Sequence, residues 1–254
     1  MLQSFNLICR AAAIIAGLLL LNPAHADMAP VLKVGATASG IPFTFLDIKT
    51  NTIEGMMVDA ANQAAKAGQF RVEVEQTSFA SLIPALTSGK IDMISAGMLK
   101  TAEREKVVDF SAPLYRYGEG VLVNADDAAT YPNLDALKGQ IVGTQTGTVF
   151  YDLLTKMGHF KEVRTYDSIA DMARDVALGR IKAAVGDMPI MAYQIKHRAF
   201  RGVKLAQGYQ PTHLGEVCFV VRKGDSANLQ RLNDAIARMK ADGSLTAIIN
   251  KWGV

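Results

Sequence analysis

Two stretches of this chain use the same join between helix and strand: ALTSGKI at 85–91 and ALGRI at 177–181. In each, a run with helical spacing ends in glycine and passes at once into an apolar strand, IDMIS in the first half and IKAAVGD in the second. Strands alternating with helices through short turns require a parallel sheet with helices on its faces, so the chain is constrained to α/β architecture. The flanking segments keep the same grammar. LKVGAT alternates as a strand from Leu32, and PFTF is expected to extend it past Pro42. IEGMMVDAANQAAKAG has apolar residues at helical spacing and a stop at Gly68, VEVEQTSF alternates as a strand, and FASLIPALTSG reads as a helix ending at Gly89. The second half restarts with the strand LKGQIVGTQTG, the helix FYDLLTKMG closed by Gly158, and SIADMARDVALGRIKAAVGD. Two lobes on one plan is the economical reading. PLYRYGEGVLVN (113–124) is extended and suits a crossover between them, a second crossover is expected near 213–221, and two helices split at Asp242-Gly243 end the chain.

Two lobes need enough chain, and the first 26 residues do not contribute to them. They hold one charge, Arg10, an apolar run of 11 residues and the ending Ala24-His25-Ala26. A bilayer span takes roughly 20 apolar residues, so this is a secretory signal peptide over 1–26 rather than an anchor. The expected mature chain is exported and is not inserted in the membrane. Of the 254 residues, 228 remain, enough for two lobes of about 100 residues each. They carry 26 basic and 24 acidic residues, a balance that gives no electrostatic case for nucleic acid. Cys218 is the only cysteine left, so no intramolecular disulfide forms. The histidines 159, 197 and 213 are scattered, and no metal-ligand spacing or cofactor motif appears.

In an open α/β sheet, ligands bind beyond the carboxyl ends of the strands, where backbone amides and helix starts face solvent. Three segments qualify: 91–101, IVGTQTGTVF (141–150) and AAVGDMP (183–189). Arg104, among Glu103, Glu105 and Lys106, reads as a solvated helix face. It also stands in a first helical turn, where the macrodipole favours acids, and a bound carboxylate would resolve that misfit through a bidentate guanidinium. Asp187, followed by Pro189, reads equally as an N-cap or as a ligand group. Phe79 can simply be core. GTQTGT lacks the GK[ST] of a phosphate loop.

Several ordered blocks together resemble the bacterial extracellular solute-binding proteins that serve polar amino-acid ABC transporters, over about Leu32 to Gly253. They are LKVGATASGIPFTF, IEGMMVD, SFASLIPALTSGKIDMISAGMLKTAERE with VDFSAPLY, YDSIADMARDVALGRIKAAVGD, and VVRKGD with LNDAIARMKADGSLTAIINKW. The resemblance implies a two-lobed periplasmic-binding-protein fold of type II, each lobe a sheet flanked by helices, with two hinge crossovers. Lobe 1 would cover 31–114 and 217–254, and lobe 2 would cover 119–212. The implied protein is a periplasmic monomer that closes on an amino-acid-like solute, without cofactor, and delivers it to the permease of an ABC transporter. Arg104 would hold the ligand carboxylate with the amides of Thr148 and Val149. Asp187 and the Gly97 carbonyl would take the α-ammonium, Phe79 would form an aromatic wall, and Gln145 would lie near the side-chain pocket.

Departures from the family pattern bear on the ligand. Gly40 stands where an aromatic residue is usual, Leu99 where Ser or Thr is usual, Thr37 where binders of cationic side chains often place Asp, and Met57 where an acid is usual. A wider, more apolar pocket is expected, suited to a bulkier or less polar amino acid or a derivative, with arginine and lysine disfavoured. The alternative from another class is a cyclohexadienyl (prephenate or arogenate) dehydratase, since such enzymes resemble these binding proteins. It would need an acid with raised proton affinity in the cleft, and Glu119 and Glu216 near the crossovers are the candidates.

Overall fold

The computed structural model describes residues 29–254, so the signal peptide expected over 1–26 lies outside the described residues. The chain opens with β1 (Val31–Ala36), three short strands β2 (Ser39–Gly40), β3 (Thr44–Asp47) and β4 (Thr52–Glu54), and the helix α1 (Met56–Gly68). PFTF therefore does not prolong β1. Pro42 has no amide to give to a ladder, the Phe43 amide donates back to the Gly40 carbonyl at 2.8 Å, and β2, β3 and β4 form a separate antiparallel sheet. In α1 the buried residues Met56, Met57, Ala60, Ala61, Ala64 and Ala65 recur at helical spacing. The residue that turns left-handed at its end is Gln69, with φ of 55°, and not Gly68. Gly68 is small for a packing reason: a Cβ there would lie 2.8 Å from the Phe70 ring.

β5 (Arg71–Gln76) then runs parallel to β1 in unbroken register, Val31 opposite Arg71 through Ala36 opposite Gln76. A 3-10 turn at Phe79–Ser81 leads to α2 (Leu82–Thr87), β6 (Met93–Ile94), α3 (Ala102–Glu105), β7 (Val108–Phe110), β8 (Tyr115–Tyr117) and β9 (Glu119–Asn124). Next come β10 (Ile141–Gln145), α4 (Val149–Met157), β11 (Glu162–Tyr166), α5 (Ile169–Ala177), β12 (Ala183–Asp187), α6 (Met188–Lys196) and β13 (Val203–Leu205). The chain returns through β14 (Gly215–Val217) to β15 (Val220–Arg222) and ends in α7 (Ser226–Ala241) and α8 (Ser244–Trp252).

Two five-stranded sheets result, in the orders β5-β1-β6-β15-β7 and β11-β10-β12-β9-β13. In both, the first three strands are parallel, and the fourth pairs antiparallel with its two neighbours. The fourth strand comes from opposite ends of the chain: β9 enters the second sheet from the first crossover, and β15 re-enters the first sheet from the second. Between the sheets, β8 and β14 pair antiparallel with Arg116 opposite Glu216, so the two crossovers are strapped together. The architecture is two-lobed.

The repeated helix-to-strand join has one geometry in both lobes. Gly89 and Gly179 take φ of +77° and +67°, and the next residues, Lys90 and Arg180, each donate an amide at 2.9 Å to a helix carbonyl, of Ala85 and Asp175. These are left-handed helix ends that only glycine adopts without strain. They aim β6 and β12 into the centres of their sheets, so that the far ends of both strands face the cleft. Phe43, Phe150 and Phe219 are fully buried and anchor the packing. Burying each such side chain contributes roughly 1.5–3 kcal/mol.

Candidate functional site

Past β6 the chain is held by Ser95, buried, whose hydroxyl donates to the Met57 carbonyl at 2.7 Å. Gly97 then turns with φ of +68°, and a Cβ there would come 2.9 Å from the Phe43 ring, so only glycine fits. Residues 98–100 are stitched to the returning chain: Leu99 bridges Val217, and the Lys100 amide donates to the Glu216 carbonyl at 2.8 Å. Thr101 caps α3 by accepting from the Arg104 amide at 3.2 Å. The cap and the stitched loop fix where the Arg104 side chain begins.

Arg104 is not on a solvated face. Its Nη1 donates to the Leu99 carbonyl at 2.6 Å and its Nη2 crosses to the other lobe to donate to the Gly147 carbonyl at 2.9 Å. The Phe79 ring centre is 5.9 Å from its Cζ, within the range of a cation–π contact. Burial lowers its proton affinity, against the pull of Tyr117, Asp187 and Asp152. Because α3 is a single turn of four residues, the dipole misfit inferred from sequence is small, and carbonyl contacts place the guanidinium instead.

On the second lobe, β10 ends at Gln145 and the turn before α4 contains Gly147, φ +78°, where a Cβ would lie 2.9 Å from the Cα of Ala80. The lobes touch there. Thr148 is buried, donates its hydroxyl to the Gln145 carbonyl at 2.7 Å, and gives its amide to the same carbonyl at 3.3 Å. Val149 opens α4, whose first amides have no acceptor within the helix. Gln145 uses its side-chain nitrogen on the Asp167 carbonyl at 2.9 Å.

Asp187 occupies the N-cap position of α6 but makes no side-chain cap bond. It accepts instead from the hydroxyl of Tyr117, which also lies 3.2 Å from the Gly97 carbonyl. Burial pushes the Asp187 carboxyl up to about 6, against the Tyr117 bond and the Arg104 charge. Tyr117, on the first crossover, is the site residue that sequence reasoning passed over. Its only signal was two-residue spacing from Tyr115 in a segment read merely as extended. Phe43 was also passed over; it stacks on Tyr117 with ring centres 5.4 Å apart.

Of the four departures from the family pattern, Gly40 leaves a space that is approached from the other lobe: an ideal Cβ there would be 3.5 Å from Ile190 Cδ1 and 3.4 Å from Thr37 Oγ1. The widening expected from Gly40 is therefore partly filled by Ile190. Thr37 and Thr44 share a hydroxyl contact at 2.7 Å, both buried. Leu99 packs its side chain toward Gly215 and lines a groove of about 320 Å³ with Val149, Leu153 and Leu214. Met57 is fully buried in the core.

The two acids considered for catalysis are otherwise engaged. Glu119 is fully buried and accepts from Tyr209 Oη at 2.8 Å, from the Thr212 amide and hydroxyl at 2.7 and 2.8 Å, and from the His213 amide at 3.0 Å. Burial pushes its proton affinity up, but these donors bring it below the ordinary value. Glu216 pairs with Arg116 across the crossovers. Burial pushes the Cys218 thiol up to about 12, which keeps it protonated.

The model of the bacterial extracellular solute-binding proteins, family 3, matches residues 32–254. A putative ABC transporter arginine-binding protein 2 of Escherichia coli (strain K12) is 33% identical over 247 residues, 95% of this chain and 96% of that protein. A probable histidine-binding protein of Neisseria gonorrhoeae is 30% identical over 231 residues, 89% of this chain and 84% of that protein. Among solved structures, an ancestral arginine-binding protein bound to arginine superposes with a TM-score of 0.80 at 33% identity, covering 89% of this chain and 99% of that one.

Proposed function

Because the chain belongs to the bacterial extracellular solute-binding proteins of family 3, we propose that it captures one amino-acid-like solute between its lobes, at Arg104 and Asp187, and delivers it to the permease of an ABC transporter. It is a binding protein and not an enzyme. The two acids that the dehydratase alternative would use are engaged elsewhere, Glu119 by Tyr209, Thr212 and His213 and Glu216 by Arg116, and the similar proteins named above are binding proteins. Members of the family are extracellular or periplasmic, and no described helix is long and apolar enough to cross a membrane. Export by the leader at 1–26 and action as a monomer are part of the proposal.

The observation that carries it is the arrangement of Arg104 and Asp187. They project from different lobes into one cleft, and each feels the other's charge although neither forms a direct ion pair with it. A solute with a carboxylate at Arg104 touches both lobes, binds the closed arrangement better than an open one, and so drives closure. Lobe 1 in this proposal is 31–114 with 217–254, lobe 2 is 119–212, and β8 with β14 is the hinge. Phe79 walls the carboxylate end, Thr148 and Val149 face it from α4, and Gln145, Thr37 and Gly40 border the side-chain end. Thr37 is uncharged and tied to Thr44, so a cationic side chain has no partner from it.

A thermal-shift screen against amino acids, their N-acyl and oxo derivatives and opines tests this reading. A solute at 100 times its dissociation constant adds about 2.7 kcal/mol of stability, which shows as a clear rise in midpoint. A rise with arginine or lysine and with no uncharged compound would sink the expected preference. No rise with any carboxylate would sink the site.

A further inference from the structure

Tyr117 lies inside the protein with 5% of its surface exposed, although it belongs to a crossover strand. Its hydroxyl touches the carboxylate of Asp187 on one lobe and is 3.2 Å from the Gly97 carbonyl on the other. Both partners are acceptors. The position between them is one that a primary ammonium would occupy. We propose that Tyr117 determines specificity: its hydroxyl holds the place of an α-ammonium between Asp187 and Gly97, so the cleft prefers carboxylic acids whose α-nitrogen is absent or acylated to free α-amino acids. This rests on the cleft being the ligand site.

Hydrogen-bond counting supports the assignment. An ammonium has three N–H donors and asks for three acceptors, whereas an amide nitrogen asks for one. The single phenol proton goes to Asp187 while the phenol oxygen stands 3.2 Å from the Gly97 carbonyl and blocks it, Leu99 offers only a carbonyl that Arg104 uses, and the Thr37 hydroxyl is held by Thr44. An ammonium would bring Asp187 a full charge that the phenol does not. It would first have to expel a ring that cannot leave freely.

Packing holds that ring. It stacks on Phe43 at 29° and lies 6.3 Å from the Tyr115 ring, while Tyr117 pairs with Gly215 across the two crossovers. Phe43 is itself fully buried against Gly97. Swinging Tyr117 out would open a hole among aromatic side chains, at a cost. A ligand that leaves the ring in place avoids this and still offers its carboxylate to Arg104.

Isothermal titration calorimetry decides the matter, with L-leucine, L-phenylalanine and L-arginine each compared with its N-acetyl and 2-oxo forms. In the wild type, at least one N-acetyl or 2-oxo acid should bind about ten-fold or more tightly than the matched amino acid. Tyr117→Phe should shrink that ratio at least about ten-fold by raising affinity for the amino acid. Tyr117→Leu removes the hydroxyl by another route and should shift the ratio the same way if the Phe variant folds poorly. Tighter wild-type binding of the free amino acids overturns the proposal. So does weaker amino-acid binding by Tyr117→Phe, which would make the hydroxyl an acceptor for the ammonium, and so does the absence of binding by every probe. Arg104→Ala separates the two levels: if it leaves binding of all these acids intact, the cleft reading fails, and not Tyr117 alone.

Discussion

The two lobes have the same strand order and the same glycine-ended join into the strand that faces the cleft, yet that strand leads to opposite charges. In the first lobe β6 runs into a stitched loop and a one-turn helix that presents Arg104. In the second, β12 runs without interruption into α6, with Asp187 at the junction. The long exit lets a flexible cation reach 2.9 Å from the opposite lobe, whereas the short exit holds a short acid at the sheet edge. A repeated scaffold thus presents a cation from one lobe and an acid from the other through the unequal exits of one pair of equivalent strands.

The strongest break in that comparison is Arg104→Ala. It should weaken binding of any carboxylate ligand by about thirty-fold or more, since loss of a charge-assisted bond to a buried partner costs about 2–5 kcal/mol. Calorimetric titration reads the loss. The unfolding midpoint should fall only modestly, because the change removes two hydrogen bonds to carbonyls but leaves the one-turn helix and its Thr101 cap in place.

Asp187, on the opposite lobe, should respond to pH instead. Asp187 holds its proton more tightly when folded, at about 6 against an ordinary 3.8. Its contribution to stability is therefore fully present below about pH 3.8 and is lost as pH rises through 6. Asp187→Asn should flatten that slope and stabilise the ligand-free protein by about 3 kcal/mol at pH 8. Denaturant unfolding between pH 4 and 8 checks the sign, and an unchanged slope would mean that the carboxyl is better solvated than its surroundings indicate.

A smaller effect should come from the contact between the lobes. Gly147→Ala places a Cβ at positive φ and 2.9 Å from the Cα of Ala80, which should cost about 1 kcal/mol and push the lobes apart. Small-angle scattering should show a larger radius for the variant without ligand. The equivalent change at Gly89, which has positive φ but no atom within 4 Å of the added Cβ, should cost stability without changing shape.

Much of the fold was legible because its signals are local. Glycines 89, 158 and 179 mark helix ends that must turn left-handed, and the apolar spacing of α1 and α5 states which face is buried. The failures are local too. PFTF has the composition of a strand, but the hydrogen bond from Phe43 back to Gly40 makes it a new one. Gly68 looks like a stop signal and is in fact a packing residue beside Phe70. For the candidate site, Arg104 and Asp187 lie in segments that follow strands, but composition read Arg104 as a solvated face and Asp187 equally as a cap, and only the resemblance to a family set them together. Tyr117 did not stand out, because an aromatic residue in an extended crossover has no periodic face to betray it. Gly40 was read as space, and the Ile190 that approaches it lies 150 residues further along the chain.

The sequence by itself determined the α/β class, the repeat of one plan and the crossovers, since each depends on propensity, spacing or composition within a few residues, whereas Arg104 and Asp187 were singled out by the resemblance to a family and not by composition. Tertiary structure alone decided that Arg104 reaches Gly147, that Asp187 bonds a phenol across the cleft and does not cap its helix, and that this phenol, from the hinge, stands between Asp187 and Gly97. Those three facts join residues from different lobes or crossovers. The packing of two sheets sets their distances, and no local pattern in the chain encodes them.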